Sequence, residues 1–165
     1  MWRNLLSLLK NSGNVQPSTH GQPVRAGARV VIVALINNQQ DQQTLTEIAA
    51  DYGWSLHFAQ TSREALTLLN RYEAPIVLCD RDATSSDWQE AIQTMAASQH
   101  LVYPILVSRV ADDYLWNEVM RSGGFDLLAK PLRGEEVLRT IRMAWSYWNW
   151  SSSMGTQYVP IKRRR

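Results

Sequence analysis

Residues 75–80 read Pro-Ile-Val-Leu-Cys-Asp, a short apolar run that ends on the carboxylate of Asp80. Two later apolar runs also end on a polar side chain: residues 105–107 on Ser108 and residues 125–129 on Lys130. If the three runs are parallel strands of one sheet, their polar ends lie along its carboxyl edge, where open α/β sheets bind ligands. A carboxylate, a hydroxyl and an ammonium group gathered at that edge indicate phosphoryl chemistry or an evolutionary relic of it.

Strand and helix patterns alternate along most of the chain. Short runs of β-branched and other apolar residues are separated by segments that carry apolar residues at helical spacing. The predicted strands cover residues 30–35, 55–59, 76–79, 105–107 and 125–129, and the last predicted helix covers residues 134–148. Such alternation is typical of a parallel sheet with helices on both faces and right-handed crossovers. The predicted fold class is therefore α/β, with three layers built from five βα units in a doubly wound sheet.

The 165 residues fit one domain with short flanking segments. Composition divides the chain into an amphipathic segment at 1–10, a linker at 11–28, a domain at 29–150 and a basic tail at 151–165. The net charge of +2 depends on that tail, because four of the 17 basic residues are the last four of the chain. Without them, 13 basic residues face 15 acidic ones, which argues against a broad nucleic-acid-binding face.

The two end segments are compatible with several kinds of binding partner. Trp2, Leu5, Leu6 and Leu9 share one helical face, which predicts an interfacial anchor or partner helix, or else a terminal helix that leans on the domain. The basic tail would bind a membrane, nucleic acid or an acidic partner weakly and in a salt-sensitive manner, or remain solvated. No apolar run approaches the ~20 residues of a transmembrane span. Cys79 is the single cysteine, so no intrachain disulfide forms, which fits a reducing, cytoplasmic location.

Three motifs carry a resemblance to a known family: VLCD at 77–80, PILVS at 104–108 and GGFDLLAKP at 123–131. With these motifs, residues 29–148 resemble the receiver domain of bacterial two-component response regulators. The resemblance implies a flavodoxin-like sheet of strand order 2-1-3-4-5 and a cis Lys130–Pro131 bond. It implies that a histidine kinase phosphorylates Asp80, that Lys130 neutralises the phosphoryl oxygens and that Ser108 donates a hydrogen bond to them. We therefore expect a stand-alone module that acts by binding partners and is not an enzyme.

The chain departs from that family at the metal site. The family holds Mg²⁺ with two acidic residues just after the first strand, where this chain has Ile36, Asn37 and Asn38. Because Mg²⁺ takes an octahedral oxygen shell and usually needs carboxylate charge, its binding would depend on compensation by Asp82 or Asp41. The resemblance is therefore to a degenerate receiver that lacks the acidic metal pair.

Two further departures lie beside the candidate site. Leu127 stands where the family often has an aromatic residue, and Arg109 stands where a small residue is usual. Arg109 is expected to cover the phosphoryl pocket or to pair with Asp80. Without the acidic pair, phosphorylation of Asp80 is expected to be inefficient. Two roles follow: a phosphorylation switch, or an adaptor that is locked in one state and works independently of phosphorylation.

An enzymatic alternative uses the same carboxylate. Asp80, Asp82 and Thr84 fit the Asp-x-Asp-x-Thr pattern of haloacid-dehalogenase-type phosphatases. That pattern is short, and that family places it on the first strand of its fold, whereas two βα units precede it here. Asp112 and Asp113 could mimic the later acidic pair of these phosphatases, but acidic residues at a helix start are also explained by the helix dipole.

Seven tryptophans are many for a chain of this length. Trp145, Trp148 and Trp150 crowd the end of the last helix, and Trp116 lies on the fourth helix. Because tryptophan is enriched at interfaces, these four predict a partner or homodimer surface. The face formed by the fourth helix, fifth strand and fifth helix is the one that the family uses in this way. The alternative is that the rings cap the bottom of the core.

Overall fold

The computed structural model describes residues 29–83 and 87–154. Within these residues, strands and helices alternate. The strands are β1 (Val31–Leu35), β2 (Ser55–Ala59), β3 (Ile76–Asp80), β4 (Tyr103–Ser108) and β5 (Asp126–Ala129). The helices are α1 (Gln39–Asp51), α2 (Ser62–Tyr72), α3 (Trp88–Ala96), α4 (Asp113–Arg121) and α5 (Gly134–Met154).

The strands form one parallel sheet of order β2-β1-β3-β4-β5. This order confirms the predicted doubly wound α/β fold, including the 2-1-3-4-5 arrangement that the resemblance implies. The observed strands lie within two residues of their predicted bounds. The helix α5 differs more, because it continues past residue 148 to Met154.

Each face of the sheet has its own apolar cluster. The helices α1 and α5 cover one face, where Ile32, Ile105 and Ile141 are fully buried. The helices α2, α3 and α4 cover the other face, where Leu69 and Leu106 are fully buried. The strands β3 and β4 are buried along their whole length, whereas β2 at the edge of the sheet is only half-buried over its first four residues. The continuous apolar runs of the inner strands are explained by this double coverage.

Local signals in the sequence set the ends of the helices. Thr61 caps α2 by accepting a hydrogen bond from the Glu64 backbone N–H at 3.2 Å, as the capping pattern predicts. Asp112 caps α4 by accepting from the Leu115 N–H at 2.8 Å. Gly53 follows α1 with φ +67°, a left-handed conformation that glycine adopts without steric cost. Because each helix follows a strand of one parallel sheet, every helix starts near the carboxyl edge of the sheet.

The Lys130–Pro131 peptide bond is cis, as the resemblance implies. None of the helices that the structure describes combines the length and the apolar character needed to cross a membrane. The amphipathic segment at 1–10, the linker at 11–28 and the basic residues that end the chain lie outside the described residues. What the sequence predicts for them stays a prediction.

Candidate functional site

Asp80 lies at the carboxyl edge of the sheet, where it is the last residue of β3. Only 2% of its surface is exposed, and in the strand register it faces Val107 of β4. One carboxylate oxygen, Oδ1, accepts a hydrogen bond from the Asp82 backbone N–H at 3.0 Å. The other, Oδ2, lies 2.6 Å from the Nζ atom of Lys130. Both carboxylate oxygens therefore have partners within the protein.

Lys130 directly follows β5, and its backbone N–H donates to the Ser108 carbonyl oxygen at 2.9 Å. Its side chain is only 7% exposed. The Nζ atom lies 2.6 Å from Asp80 Oδ2 and 2.8 Å from Asp41 Oδ2. The ammonium group therefore bridges a carboxylate of the sheet and a carboxylate of α1. We call this arrangement the lysine bridge.

The lysine bridge raises the pKa of Lys130. Burial is the largest single influence and lowers this pKa, because it penalises the charged form. The hydrogen bonds to Asp41 and Asp80 and the negative charges of both residues together outweigh burial. Lys130 is therefore a permanent cation at neutral pH.

Asp41 reaches Lys130 from the first turn of α1. The helix is capped by Asn38, whose Oδ1 atom accepts a hydrogen bond from the Asp41 backbone N–H at 3.0 Å. This cap fixes where α1 begins, and so determines which of its side chains face the carboxyl edge. The sequence offered Asp41 as a possible metal ligand. The structure instead places its carboxylate on the ammonium group of Lys130.

The three positions that correspond to the missing acidic pair offer few ligand atoms. Ile36 is fully buried in the apolar cluster, and its carbonyl oxygen accepts a hydrogen bond from Gln42 Nε2 at 2.6 Å. Asn37 is exposed, and the Asn38 side-chain oxygen is used by the helix cap. Residues 29–83 and 87–154 contain no group of three or more His, Cys, Asp or Glu side chains that could hold an ion. The donor set in this arrangement does not fit Mg²⁺, which usually needs several free oxygen ligands.

Ser108 and Arg109 follow the end of β4 but differ in burial. Ser108 is 3% exposed, and its Oγ atom accepts a hydrogen bond from the Val110 backbone N–H at 3.2 Å. The Arg109 Nε atom lies 3.8 Å from Asp82 Oδ2, and these two side chains are 75% and 60% exposed. The expectation that Arg109 pairs with Asp80 is therefore wrong, because its Nε atom lies beside Asp82. That Arg109 covers the phosphoryl pocket stays a prediction. The same pairing involves one carboxylate oxygen of Asp82, the second residue considered as a replacement metal ligand.

The fold described above is similar to that of solved response regulators. A response regulator from Thermotoga maritima is 17% identical, with 72% of this chain and 98% of that chain covered, at a TM-score of 0.65. The chemotaxis protein CheY4 of Vibrio cholerae is 18% identical, with 71% and 99% covered, at a TM-score of 0.63. The chain has the receiver fold.

A third receiver-fold neighbour comes from a complex. It is a chain of the co-crystal structure of the Saccharomyces cerevisiae histidine phosphotransfer signaling protein Ypd1 with the receiver domain of Ssk1. It is 15% identical, with 75% of this chain and 91% of that chain covered, at a TM-score of 0.62. No protein-family model matches the sequence, and no curated protein matches it.

A buried carboxylate joins α4, β5 and α5 of this receiver fold. Asp126 is 3% exposed, and its Oδ1 atom accepts hydrogen bonds from Trp116 Nε1 at 3.2 Å and from the Leu127 N–H at 2.9 Å. Its Oδ2 atom accepts from Thr140 Oγ1 at 3.4 Å. Burial raises the pKa of Asp126, and these hydrogen bonds and the charge of Arg139 offset only part of that effect. The sequence analysis missed this role, which an acidic residue inside an apolar strand could have signalled.

The four candidate interface tryptophans of this receiver fold differ in exposure. Trp145 and Trp148 stack with ring centroids 4.9 Å apart and pack against the apolar cluster beneath α1 and α5. For these two tryptophans, the structure therefore favours the core-capping role over the interface role. Trp116 is 38% exposed and Trp150 is 60% exposed. These two rings can be reached by a partner on the outside of the domain.

Proposed function

We propose that this chain is a receiver-like module of phosphorelay signal transduction that acts by binding other proteins. Asp80 is its candidate phosphoacceptor, and Ser108 and Lys130 are the candidate phosphoryl contacts. Phosphorylation of Asp80 is inefficient, or is not needed for signalling. The observation that carries this proposal is the lysine bridge, in which one ammonium group contacts Asp80 at 2.6 Å and Asp41 at 2.8 Å.

The lysine bridge opposes phosphoryl transfer for an electrostatic reason. Phosphoryl transfer depends chiefly on positioning and on cations that neutralise the phosphoryl oxygens. A phosphoryl group arriving at Asp80 would have to compete with the Asp41 carboxylate for the ammonium group of Lys130. Each ~1.4 kcal/mol of lost transition-state stabilisation slows the reaction about tenfold. The bridge therefore favours an adaptor locked in one state over a fast switch.

The same contacts bear on the metal. In a receiver-like mechanism, Mg²⁺ would neutralise the charge that builds up between the carboxylate and the phosphoryl group. Here Lys130 is the cation held between Asp41 and Asp80, and Ile36 presents an apolar side chain. We therefore propose that this module does not depend on bound Mg²⁺.

We propose a signalling protein of the cytoplasm as the partner, with a histidine kinase as the first candidate. The complex between Ypd1, a histidine phosphotransfer signaling protein, and the receiver domain of Ssk1 supports a signalling protein as the partner. The exposed Trp116 and Trp150 support a contact, with a partner or with a second copy, on the face of α4, β5 and α5. Trp116 is already oriented by its hydrogen bond to Asp126, so this part of the face is preorganised.

The phosphatase alternative has no specific support among the described residues. The Asp82 carboxylate pairs with Arg109 at the surface. Asp112 caps α4 through its bond to the Leu115 N–H. Asp82 and Asp112, two of the carboxylates that this alternative uses beside Asp80, therefore have other contacts, and Thr84 lies outside the described residues.

Intact-mass measurement after incubation with acetyl phosphate and Mg²⁺ tests the proposal. The wild-type chain is expected to gain no phosphoryl group, or to gain one slowly. The double variant Asn37→Asp with Asp41→Asn adds a carboxylate at an exposed position after β1 and releases Lys130 from its second partner. It is expected to gain one phosphoryl group faster than the wild type, and adding Asp80→Asn to it is expected to abolish the gain.

A rapid, stoichiometric and Mg²⁺-dependent gain by the wild-type chain, absent in Asp80→Asn, would reject the locked adaptor. Release of inorganic phosphate from a generic phosphate ester, in a manner that requires Asp80 and Asp82, would instead establish the phosphatase. Both assays use the full chain, with circular dichroism to show that each variant is folded.

A further inference from the structure

A shallow apolar groove runs along the outer edge of the sheet. One wall is formed by Trp54, Leu56 and Phe58, which lie at alternate positions along β2 and just before it. The other wall is the surface of α1 at Thr46, Ala49 and Ala50. The groove has a volume of about 280 Å³. We call it the β2 groove.

The β2 groove is apolar but only half covered. Trp54, Leu56 and Phe58 pack against the apolar cluster on their inner side, yet each remains partly exposed. The small, exposed side chain of Ala50 leaves the space above it open. Within the described residues β2 is also the last strand on its side of the sheet, so its outer backbone groups face no neighbouring strand. Exposed edge strands of this kind are usually covered or blocked, since they promote aggregation.

We propose that the amphipathic segment at residues 1–10 of the same chain docks in the β2 groove. Trp2, Leu5, Leu6 and Leu9 follow the spacing i, i+3, i+4 and i+7, by which an amphipathic helix presents its apolar face to a groove. Their large side chains complement the small residues of α1. Docking removes the apolar face of the segment and the apolar wall of β2 from water together.

The point at which the linker joins the domain favours docking within one chain. The Ser55 N–H at the start of β2 donates to the Val30 carbonyl oxygen at 2.8 Å, so the described chain begins directly beside Trp54. The linker at 11–28 has a root-mean-square span of roughly 23 Å if it behaves as a flexible coil. The groove extends over about 13 Å, the length of four strand residues. The segment therefore reaches the groove easily and is present there at an effective concentration in the mM range.

Charge also favours this occupant. The segment carries Arg3 and Lys10 and no acidic residue. The helix α1 carries three acidic residues and no basic one. One of these, Asp41, belongs to the lysine bridge, but Glu47 and Asp51 are exposed and follow Thr46 and Ala50 around the helix. A basic segment laid in the β2 groove therefore lies beside acidic side chains.

Paramagnetic relaxation enhancement in the full chain tests this docking. Ser7→Cys places a single nitroxide label on the side of the segment opposite its apolar face. Cys79 does not compete for the label, since it is fully buried and burial raises the pKa of its thiol to about 12. The amide signals of Leu56, Phe58 and Ala50 are expected to broaden strongly.

The matched variants are Ala50→Lys and Asn70→Lys. Both add one positive charge at an exposed helical position, but only Ala50→Lys fills the β2 groove, because Asn70 lies on α2 across the sheet. Broadening is expected to be lost in Ala50→Lys and retained in Asn70→Lys. Weak broadening without preference for the groove would overturn the proposal.

A mixed sample distinguishes docking within one chain from docking between two. The spin-labelled chain at natural isotope abundance is mixed with an unlabelled, nitrogen-15-enriched chain. The expected result is no broadening of the groove signals in the enriched chain. Broadening there as strong as in the single-chain experiment would overturn the proposal in favour of a second copy as the occupant.

Discussion

The indole Nε1 atom of Trp116 donates a hydrogen bond to Oδ1 of Asp126 at 3.2 Å, and this bond ties the outer surface of α4 to the first residue of β5. The ring is 38% exposed, whereas the carboxylate that holds it is buried. A surface that a partner could contact is therefore oriented by a group that the partner cannot reach. Changes at Asp126 should alter this surface without removing any of its exposed atoms.

Asp126→Asn is expected to keep or increase the stability of the domain at pH 7. The folded-state pKa of Asp126 is raised, so its ionisation costs stability as pH increases from about 4, the unfolded value, through the folded pKa. Asparagine retains an acceptor for Trp116 and offers a donor to Thr140, but carries no charge. Urea denaturation between pH 4 and pH 8 measures the effect, and the pH-dependent loss assigned to this group should disappear in the variant.

Asp126→Ala serves as the contrasting variant. It leaves the Trp116 indole N–H and the Leu127 N–H without their acceptor, at a cost of about 1–3 kcal/mol for a buried unsatisfied group. Tryptophan fluorescence should also report a change in the surroundings of Trp116. If Asp126→Asn destabilises the domain as much as Asp126→Ala, the cost assigned to the buried charge is contradicted.

Lys130→Met is expected to destabilise the domain by about 3–5 kcal/mol at pH 7, because it leaves the buried carboxylate of Asp80 without its cation. Asp41→Asn is the milder control, since the pair between Lys130 and Asp80 remains. Equal losses of stability in the two variants would show that the buried carboxylate of Asp80 is not stabilised by Lys130.

The wild-type protein should lose stability at alkaline pH for the same reason. Because the folded pKa of Lys130 is raised, the stabilisation is complete below its unfolded value near 10.5 and is lost as pH rises through the folded pKa. The wild-type curve is compared with that of Lys130→Met above pH 10, so that contributions shared by the two proteins cancel. An unchanged difference between the two proteins across this range would contradict the prediction.

Gly124→Ala is expected to destabilise the domain by about 1–3 kcal/mol through overpacking. A Cβ atom at this position would lie 2.5 Å from Val119 Cγ1 and 3.0 Å from the Val119 carbonyl oxygen. Gly134→Ala is the matched control, because a Cβ there meets nothing nearer than Ile48 Cγ1 at 3.9 Å. Thermal unfolding of both variants separates the local clash from the general effect of replacing glycine.

Glu73→Gly is expected to stabilise the domain by up to about 1 kcal/mol. Glu73 ends α2 in a left-handed conformation, with φ 48° and ψ 38°, which costs most residues roughly 1–2 kcal/mol. Glycine removes that cost, while the greater freedom of the unfolded chain cancels part of the gain. Glu73→Ala keeps the strain and should give no gain in a urea titration.

The sheet and the contact between Asp80 and Lys130 could be predicted, because both follow from the length and order of the apolar runs in the sequence. Inner strands that are covered on both faces need uninterrupted apolar runs, and residues 76–79 and 105–107 supply them. The parallel order then brings the ends of β3 and β5 to one edge. No detail of side-chain packing is needed for either conclusion.

The partners of individual side chains at that edge could not be predicted in the same way. Asp41 meets Lys130 because Asn38 starts α1 at one particular residue, and shifting that start would turn Asp41 away. Arg109 pairs with Asp82, and both residues lie on exposed loops. The spacing of apolar residues, which predicts strands and helices, does not predict the path of such loops. Each of these contacts depends on the backbone conformation of one short turn, which is harder to predict from sequence than a strand or a helix.

The helix α5 has a practical consequence for anyone who attaches a reporter to this protein. It leaves β5 at the edge where Asp80 lies and, three residues before its end at Met154, brings the Ser151 Oγ atom to 3.3 Å from the hydroxyl of Tyr103, which begins β4 at the opposite edge. Val30, the second of the described residues, lies at that opposite edge as well. Fluorophores, affinity tags or surface linkers joined to either end of residues 29–154 would therefore be attached far from Asp80, leaving its side of the molecule unobstructed.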